Sequence, residues 1–314
     1  MKTSWFSRAA AVALVAAASL LFRSSLLAAC GSGSTVQQLT PTRFMAVGDG
    51  MIDLGHDGKR YTINDGSMLW TQQLASHFGL TLADSSTGGL SYARGNARIT
   101  AADPTGGGAP SLSAQVDALL ARLNNKFEDS DVIILSGGHT DIVTAVNETG
   151  ISATTTATVK AAGTALGDLA KRLSEAGAKH VVVSGVYNLG LSPWARAQGE
   201  AKANAIRDLS VAFNDAMLLS LADTKWGRTV LAINPGLFYN LIANETKDPL
   251  FANAKDPVCT TPDATTCTNN TLVSGAKVEQ YLFADKLYFT PLANRLYGSS
   301  SYGNNAYSSL RDHW

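Results

Sequence analysis

The chain has no surplus of charge of either sign, 25 Lys and Arg being matched by 25 Asp and Glu. It also lacks a dense basic stripe, which argues against a nucleic-acid partner held by phosphate neutralisation. No internal repeat is evident. Cysteine is scarce, at three residues, and none of the three falls at metal-ligand spacing. His56, His77, His180 and His313 show no ligand pairing either and read as surface or satisfied polar residues, so no metal site and no cofactor is implied. The apolar stretch from Ala9 to Phe22 is too short to span a bilayer comfortably. What the chain does have is 314 residues, enough for one or two domains, and 45% apolar content, enough for a buried core.

Residues 1–29 read as a targeting segment. Lys2 and Arg8 supply a positive start, the short apolar stretch follows, and Arg23 interrupts it. Leu27-Ala28-Ala29-Cys30 resembles a bacterial lipoprotein signal, which implies that Cys30 is lipidated and becomes the mature N-terminus. The alternative is an ordinary cleaved secretory signal. Gly31 after the cysteine, rather than Asp, implies by the same resemblance the outer membrane of a Gram-negative cell envelope. Membrane attachment through acyl chains on Cys30 is stable because each buried methylene contributes about 0.8 kcal/mol. Residues 30–41, rich in Gly, Ser and Thr, then form a flexible tether. Cys259 and Cys267 remain, close together in a Pro-, Asp- and Thr-rich segment. In an exported protein a disulfide is expected there; two free surface thiols are the alternative.

Arg43 to Val47 reads as a short strand. Asp131 to Leu135, His180 to Ser184 and Thr229 to Ile233 are apolar runs of the kind found in buried parallel strands. Between them the apolar spacing predicts helices over Met68 to Phe78, Leu112 to Leu123, Val159 to Ala176 and Ala195 to Leu221, with another from about Gly236. Strands alternating with helices argue for a single three-layer α/β/α domain with a mostly parallel sheet, flavodoxin-like, over residues 42–300. Sites in such sheets form at the carboxyl ends of the strands. Residues 301–314 read as a C-terminal surface tail.

Four segments carry the chemistry. Gly48-Asp49-Gly50-Met51-Ile52-Asp53-Leu54-Gly55 resembles the Gly-Asp-Ser-Leu-Ser-Asp-x-Gly block of the SGNH/GDSL ester hydrolases, with Gly50 at the serine position. Ser91 to Ile99 resembles the second block, placing Gly95 where a backbone N–H serves the oxyanion hole. Gly138-His139-Thr140-Asp141 resembles Gly-x-Asn-Asp, with Thr140 in place of the oxyanion asparagine. Leu282 to Pro291 resembles Leu-Phe-x-Asp-x-x-His-Pro, with Asp285 as the triad acid and Tyr288 at the histidine position. Four blocks in order, over nearly the whole mature chain, identify it as similar to the bacterial secreted and autotransporter-type members of that family. The resemblance implies an SGNH-hydrolase-like fold.

Ester hydrolysis in that family needs a serine, a histidine to take its proton, an aspartate to hold the histidine, and preorganised oxyanion donors. Here the nucleophile is lost, and a phenol with a pKa of about 10 replaces the base. Losing an oxyanion donor alone costs about 2.7–4 kcal/mol. The leading expectation is a lipid-anchored pseudoenzyme whose cleft binds an acylated or glycan ligand, or an envelope partner. The alternative is an active carboxylic-ester hydrolase with a rearranged site, for which Asp49 and His139 are the possible substitutes. His139 is expected as a polar loop residue near the cleft mouth. Tyr288 and Asp285 are expected to hydrogen-bond across the empty site. A third possibility is a structural lipoprotein whose Gly48-Asp49-Gly50 is only a tight turn using positive φ.

Overall fold

All four strands of the main sheet coincide with the apolar runs of the sequence. The computed structural model describes residues 38–243, 250–299 and 303–314, and its compact body runs from Leu39 to His313. Strands β1 (Arg43–Gly48), β2 (Asp131–Ser136), β3 (His180–Ser184) and β4 (Val230–Ile233) lie side by side in that order. Every pair is parallel, with Val47 opposite Leu135 and Leu135 opposite Val183. β2 is buried at every residue, which is why it carries no alternation of polar and apolar positions.

Parallel neighbours require long crossovers, and helices supply them. Between β1 and β2 come α1 (Trp70–His77) and α2 (Leu112–Arg122). Between β2 and β3 come α3 (His139–Thr149) and α4 (Ala153–Glu175), and between β3 and β4 come α5 (Pro193–Arg196) and α6 (Glu200–Ser220). Helix α7 (Pro235–Ala243) follows β4. A pair of short parallel strands, β5 (Asn253–Pro257) and β6 (Tyr281–Phe283), precedes α8 (Pro291–Gly298) and α9 (Ala306–His313). Helix α4 packs along α6, and α1 packs on α8, giving the single α/β/α domain expected. The edge of β1 away from β2 is covered by 90–94: Ala46 N–H donates to Leu90 O at 3.1 Å and Tyr92 N–H to Ala46 O at 2.7 Å.

Several boundaries differ from the sequence-based expectation. Helix α4 starts at Ala153 rather than Val159, because Ser152 Oγ accepts the Thr155 N–H at 3.1 Å and caps a first turn with little apolar character. The helix expected over Ala195 to Leu221 is two, divided at Gly199, whose φ of +92° breaks the helical path. Helix α3 went unforeseen. The segment expected as a tail contains α9, which buries Ala306 and Leu310 one turn apart, and the buried Asn305 amide donates to Leu296 O at 2.8 Å. The leader, Cys30 and the tether up to 37 lie outside the described residues. Among those described, no helix is long and apolar enough to cross a membrane.

Helix α2 fixes the end of β1. Its apolar stripe of Leu112, Val116, Leu119 and Leu120 is interrupted by Gln115, which is equally buried. Gln115 Oε1 accepts the Gly48 N–H at 2.8 Å, and Nε2 donates to Gly48 O and Pro110 O at 3.0 Å each. Gly48 is required there because a side chain would collide with the carbonyl of Ser136 on β2. Gln115→Leu leaves the Gly48 N–H buried without an acceptor, whereas Gly48 O keeps the Arg94 N–H at 3.0 Å. Urea denaturation should show a loss of roughly 1–3 kcal/mol.

Candidate functional site

Beyond Gly48 the chain turns at the carboxyl end of the sheet, and the buried Asp49 side chain organises that turn. Its Oδ1 accepts the Met51 N–H at 3.1 Å, closing the loop on itself. Its Oδ2 accepts the His139 N–H at 3.2 Å and lies 3.1 Å from His139 Nδ1. Asp49 therefore ties the first block to the third.

His139 is not the polar loop residue expected. It is the first residue of α3 and is 4% exposed, its ring 5.4 Å from that of Tyr187. Gly138 explains the placement: at φ +113° it turns the chain directly from β2 into α3, and Phe213 beneath it leaves no room for a side chain. Asp49 and His139 form a buried acid–imidazole pair. No described group hydrogen-bonds His139 Nε2, so no hydroxyl is in place for it to activate.

Tyr288 packs directly on Gly50, the position that resemblance matches to the nucleophile. A Cβ built on Gly50 would stand 2.6 Å from Tyr288 Oη and 2.9 Å from Cζ. Gly50 is not among the residues with positive φ, so the backbone itself does not demand glycine; the phenol does. This corrects the reading of Gly50 as a mere left-handed turn residue. Burial raises the Tyr288 pKa well above that of an ordinary phenol, and the nearby Asp49 adds to the shift. The side chain stays protonated at neutral pH and offers no base.

Tyr61 closes the neighbouring position. Its ring lies against the α-carbon of Gly95, where any side chain would overlap it, and packs on Tyr288 with centroids 4.7 Å apart. The Gly95 N–H donates to Asp53 Oδ2 at 2.7 Å, and Asp53 Oδ1 accepts from Gly55 and His56 at 2.9 and 3.1 Å. The backbone donor assigned by resemblance to the oxyanion is thus already satisfied by a carboxylate. Burial raises the Asp53 pKa against the pull of these three bonds.

Asp285 also serves its own turn. Oδ1 accepts the Leu287 and Tyr288 N–H groups and Oδ2 that of Ala264, each at 2.8 Å. Its carboxylate meets the Tyr288 backbone rather than the phenol, contrary to the hydrogen bond across the site that was expected. The Ala264 contact reaches into the loop closed by the disulfide Cys259–Cys267, which is present as expected. Asn64 stitches the Tyr61 segment to the same loop, its Nδ2 donating to Ala264 O at 3.0 Å and accompanied by Asn64 N–H to Cys267 O at 2.8 Å.

Thr140, His139, Asp285, Tyr288 and Tyr61 line one cleft of about 500 Å³, which brings together three of the positions matched by resemblance, Thr140, Asp285 and Tyr288; Gly50 lies behind Tyr288, and Gly95 lines the adjoining recess. Asn96 joins them, at the left-handed φ of +60° that asparagine tolerates. Among the described residues, no group of three or more His, Cys, Asp or Glu is arranged to hold a metal ion. Sequence reasoning missed Tyr61, Asn96 and the Asp53–Gly95 bond. Gln115 carried a signal, as a polar residue inside an apolar helical stripe; Tyr61, in an irregular loop, carried none.

Asp141, in the first turn of α3, binds the second block. Its Oδ2 accepts the Ile99 N–H at 3.1 Å and its Oδ1 lies 3.5 Å from Arg98 Nε. Burial raises its pKa to about 6, against the opposing pull of Ile99 and Arg98. Between the unfolded value near 3.8 and about 6 the folded state therefore holds the extra proton. Stability contributed at low pH is lost as pH rises through that window, on the order of 3 kcal/mol for a shift of this size. Asp53 and Asp285, also raised, act with the same sign. Urea midpoints from pH 4 to 7.5 should fall for the wild type and fall less for Asp141→Asn.

The family model for GDSL-like lipases/acylhydrolases matches residues 44–298. A search of curated proteins found no significant match. The matched span takes in all four strands of the sheet, the Asp49 turn, the α3 start and the Asp285 turn. On that match and this arrangement, the chain belongs to the GDSL-like lipase/acylhydrolase family.

Proposed function

We propose that this member of the family is a pseudoenzyme of the bacterial cell envelope, in which the former catalytic cleft binds an acylated or glycan ligand or an envelope partner. The observation that carries the reading is the position of Tyr288, 2.6 Å from the point where a nucleophile side chain on Gly50 would begin. The replacements at Gly50 and Tyr288 are complementary in volume: the second occupies what the first vacated. Satisfaction of the Gly95 N–H by Asp53 supports the same reading. An ester carbonyl entering the cleft meets neither a nucleophile at Gly50 nor an imidazole at Tyr288.

A second reading, an active carboxylic-ester hydrolase with a rearranged site, draws support from the Asp49–His139 pair. Hydrolysis of short and long p-nitrophenyl acyl esters separates the two. The pseudoenzyme reading expects no turnover above buffer in the natural protein and measurable turnover in Gly50→Ser/Thr140→Asn/Tyr288→His. Turnover in the natural protein that is abolished at His139, Thr140 or Asp285 establishes the second reading instead. Stability gives an independent check. Gly50→Ser alone overpacks the site and should cost roughly 1–3 kcal/mol. Adding Tyr288→His should relieve it, with a coupling of at least about 0.5 kcal/mol in a double-mutant cycle.

Attachment to the membrane through a lipidated Cys30 completes the proposal, supported by Leu27-Ala28-Ala29-Cys30 at the end of the leader. Gly31 favours the outer membrane. Radiolabelled palmitate should be incorporated by the wild type and not by Cys30→Ala, which should fractionate as soluble protein. Equal labelling of the two rules the anchor out.

A further inference from the structure

We infer that the ligand of this cleft is a neutral oligosaccharide chain rather than an acyl chain; the inference rests on the binding-protein reading above. Three recesses of the molecule share lining residues. The central one, about 500 Å³, shares Tyr61, Asn96 and Asp263 with a recess of about 290 Å³. It shares Lys286 with a larger groove of about 970 Å³ that contains Trp194. These sizes fall in the range of ligand sites, and the shared residues make them successive stations for one extended molecule.

The lining decides which kind of molecule. An acyl chain gains about 0.8 kcal/mol per methylene only where carbon covers it continuously. In the central recess the aliphatic contacts are Pro104, Val143 and Leu287, and Thr140, Thr144, Asn147 and Glu148 share the lining with them. A pyranose ring, by contrast, has an apolar C–H face and a rim of hydroxyls, and needs a flat ring to stack on with amide, hydroxyl and carboxylate groups around it. Tyr61 offers such a ring. It is partly exposed, pressed on Tyr288 at 4.7 Å and seated on Gly95, so its orientation is set before any ligand arrives. Trp194, half-buried in the large groove, offers a second ring.

Charge narrows the class. In the small recess Asp53, Asp57, Asp103 and Asp263 outnumber Lys59 and Arg94, and in the central one Glu148, Asp263 and Asp285 outnumber Lys286. A polyanionic chain is repelled at that end, whereas Arg196 and Lys255 sit only in the large groove. A neutral chain is tolerated throughout.

The test is isothermal titration of the natural protein, lacking only its leader and tether, with cellohexaose, chitohexaose, hexagalacturonate and dodecanoate, followed by the disaccharides of the neutral pair. At least one neutral hexasaccharide should bind saturably, at least tenfold more tightly than its disaccharide and than hexagalacturonate. Tyr61→Ala should weaken the hexasaccharide at least tenfold. Trp194→Ala should shrink the ratio of hexasaccharide to disaccharide affinity. Because Tyr61 touches Gly95 and Tyr288, Asn147→Ala serves as the variant that leaves the core intact; its side chain is exposed, and a three- to tenfold loss is expected. Absence of saturable binding by both neutral hexasaccharides overturns the inference. Binding of dodecanoate that Tyr61→Ala and Asn147→Ala weaken overturns it too, while leaving the binding-protein reading standing. Failure of that reading shows separately, as ester turnover by the natural protein.

Discussion

One buried carboxylate holds this site together. Asp49 is removed from solvent, and a buried charge persists only where hydrogen bonds replace its hydration. Those bonds come from Met51 in its own turn and from the start of α3, 90 residues away in sequence. The consequence is that the end of β1 and the end of β2 cannot move apart without exposing or orphaning the carboxylate. Gln115 performs the neutral version of the same task on the preceding residue, holding Gly48 between α2 and the sheet.

The side chains around Gly50 and Gly95 form one packed unit. A glycine leaves space in a close-packed region, and unfilled voids are costly. Here the Tyr288 ring occupies that space, Tyr61 lies on Tyr288, and Gly95 accommodates Tyr61. Asp53 in turn takes the Gly95 N–H that would otherwise face the cleft. Each group is held by the next. The cleft wall this creates is aromatic and rigid, and it sits among Thr, Asn and acidic side chains on the remaining sides.

Much of this was legible in the sequence, and the reasons for the exceptions are physical. The strands could be read because parallel strands buried on both faces are nearly uninterrupted apolar runs, as Asp131 to Ser136 shows. Helix α3 could not, because its first turn carries the polar residues His139, Thr140 and Asp141, of which His139 and Asp141 are buried against partners distant in the chain. Its start depends on Gly138 and on the Asp49 carboxylate, neither of which has a periodic signature. Gly50, Thr140, Asp285 and Tyr288 were matched to the family's blocks by order alone. What the blocks could not convey was how the vacated space is filled, since Tyr61 belongs to an irregular loop and reaches Gly95 and Tyr288 only through the fold. The two-residue identity of an Asn64 or a Tyr61 in a loop says nothing of the surface it meets.

The stitching of that loop has a temporal side. Asn64 Nδ2 donates to Cys267 O at 3.2 Å, across 203 residues of chain, and to Ala264 O nearby. A ribosome adding roughly 5–20 residues per second needs on the order of 10–40 s to cover that distance. Until then β1 and α1 exist without the segment that seats Tyr61, and β2 and β3 can pair before the cleft has its far wall. The cleft is thus completed only after the sheet, and a chain halted before Cys267 has all four strands of the main sheet but lacks the Asp285–Tyr288 wall of the cleft.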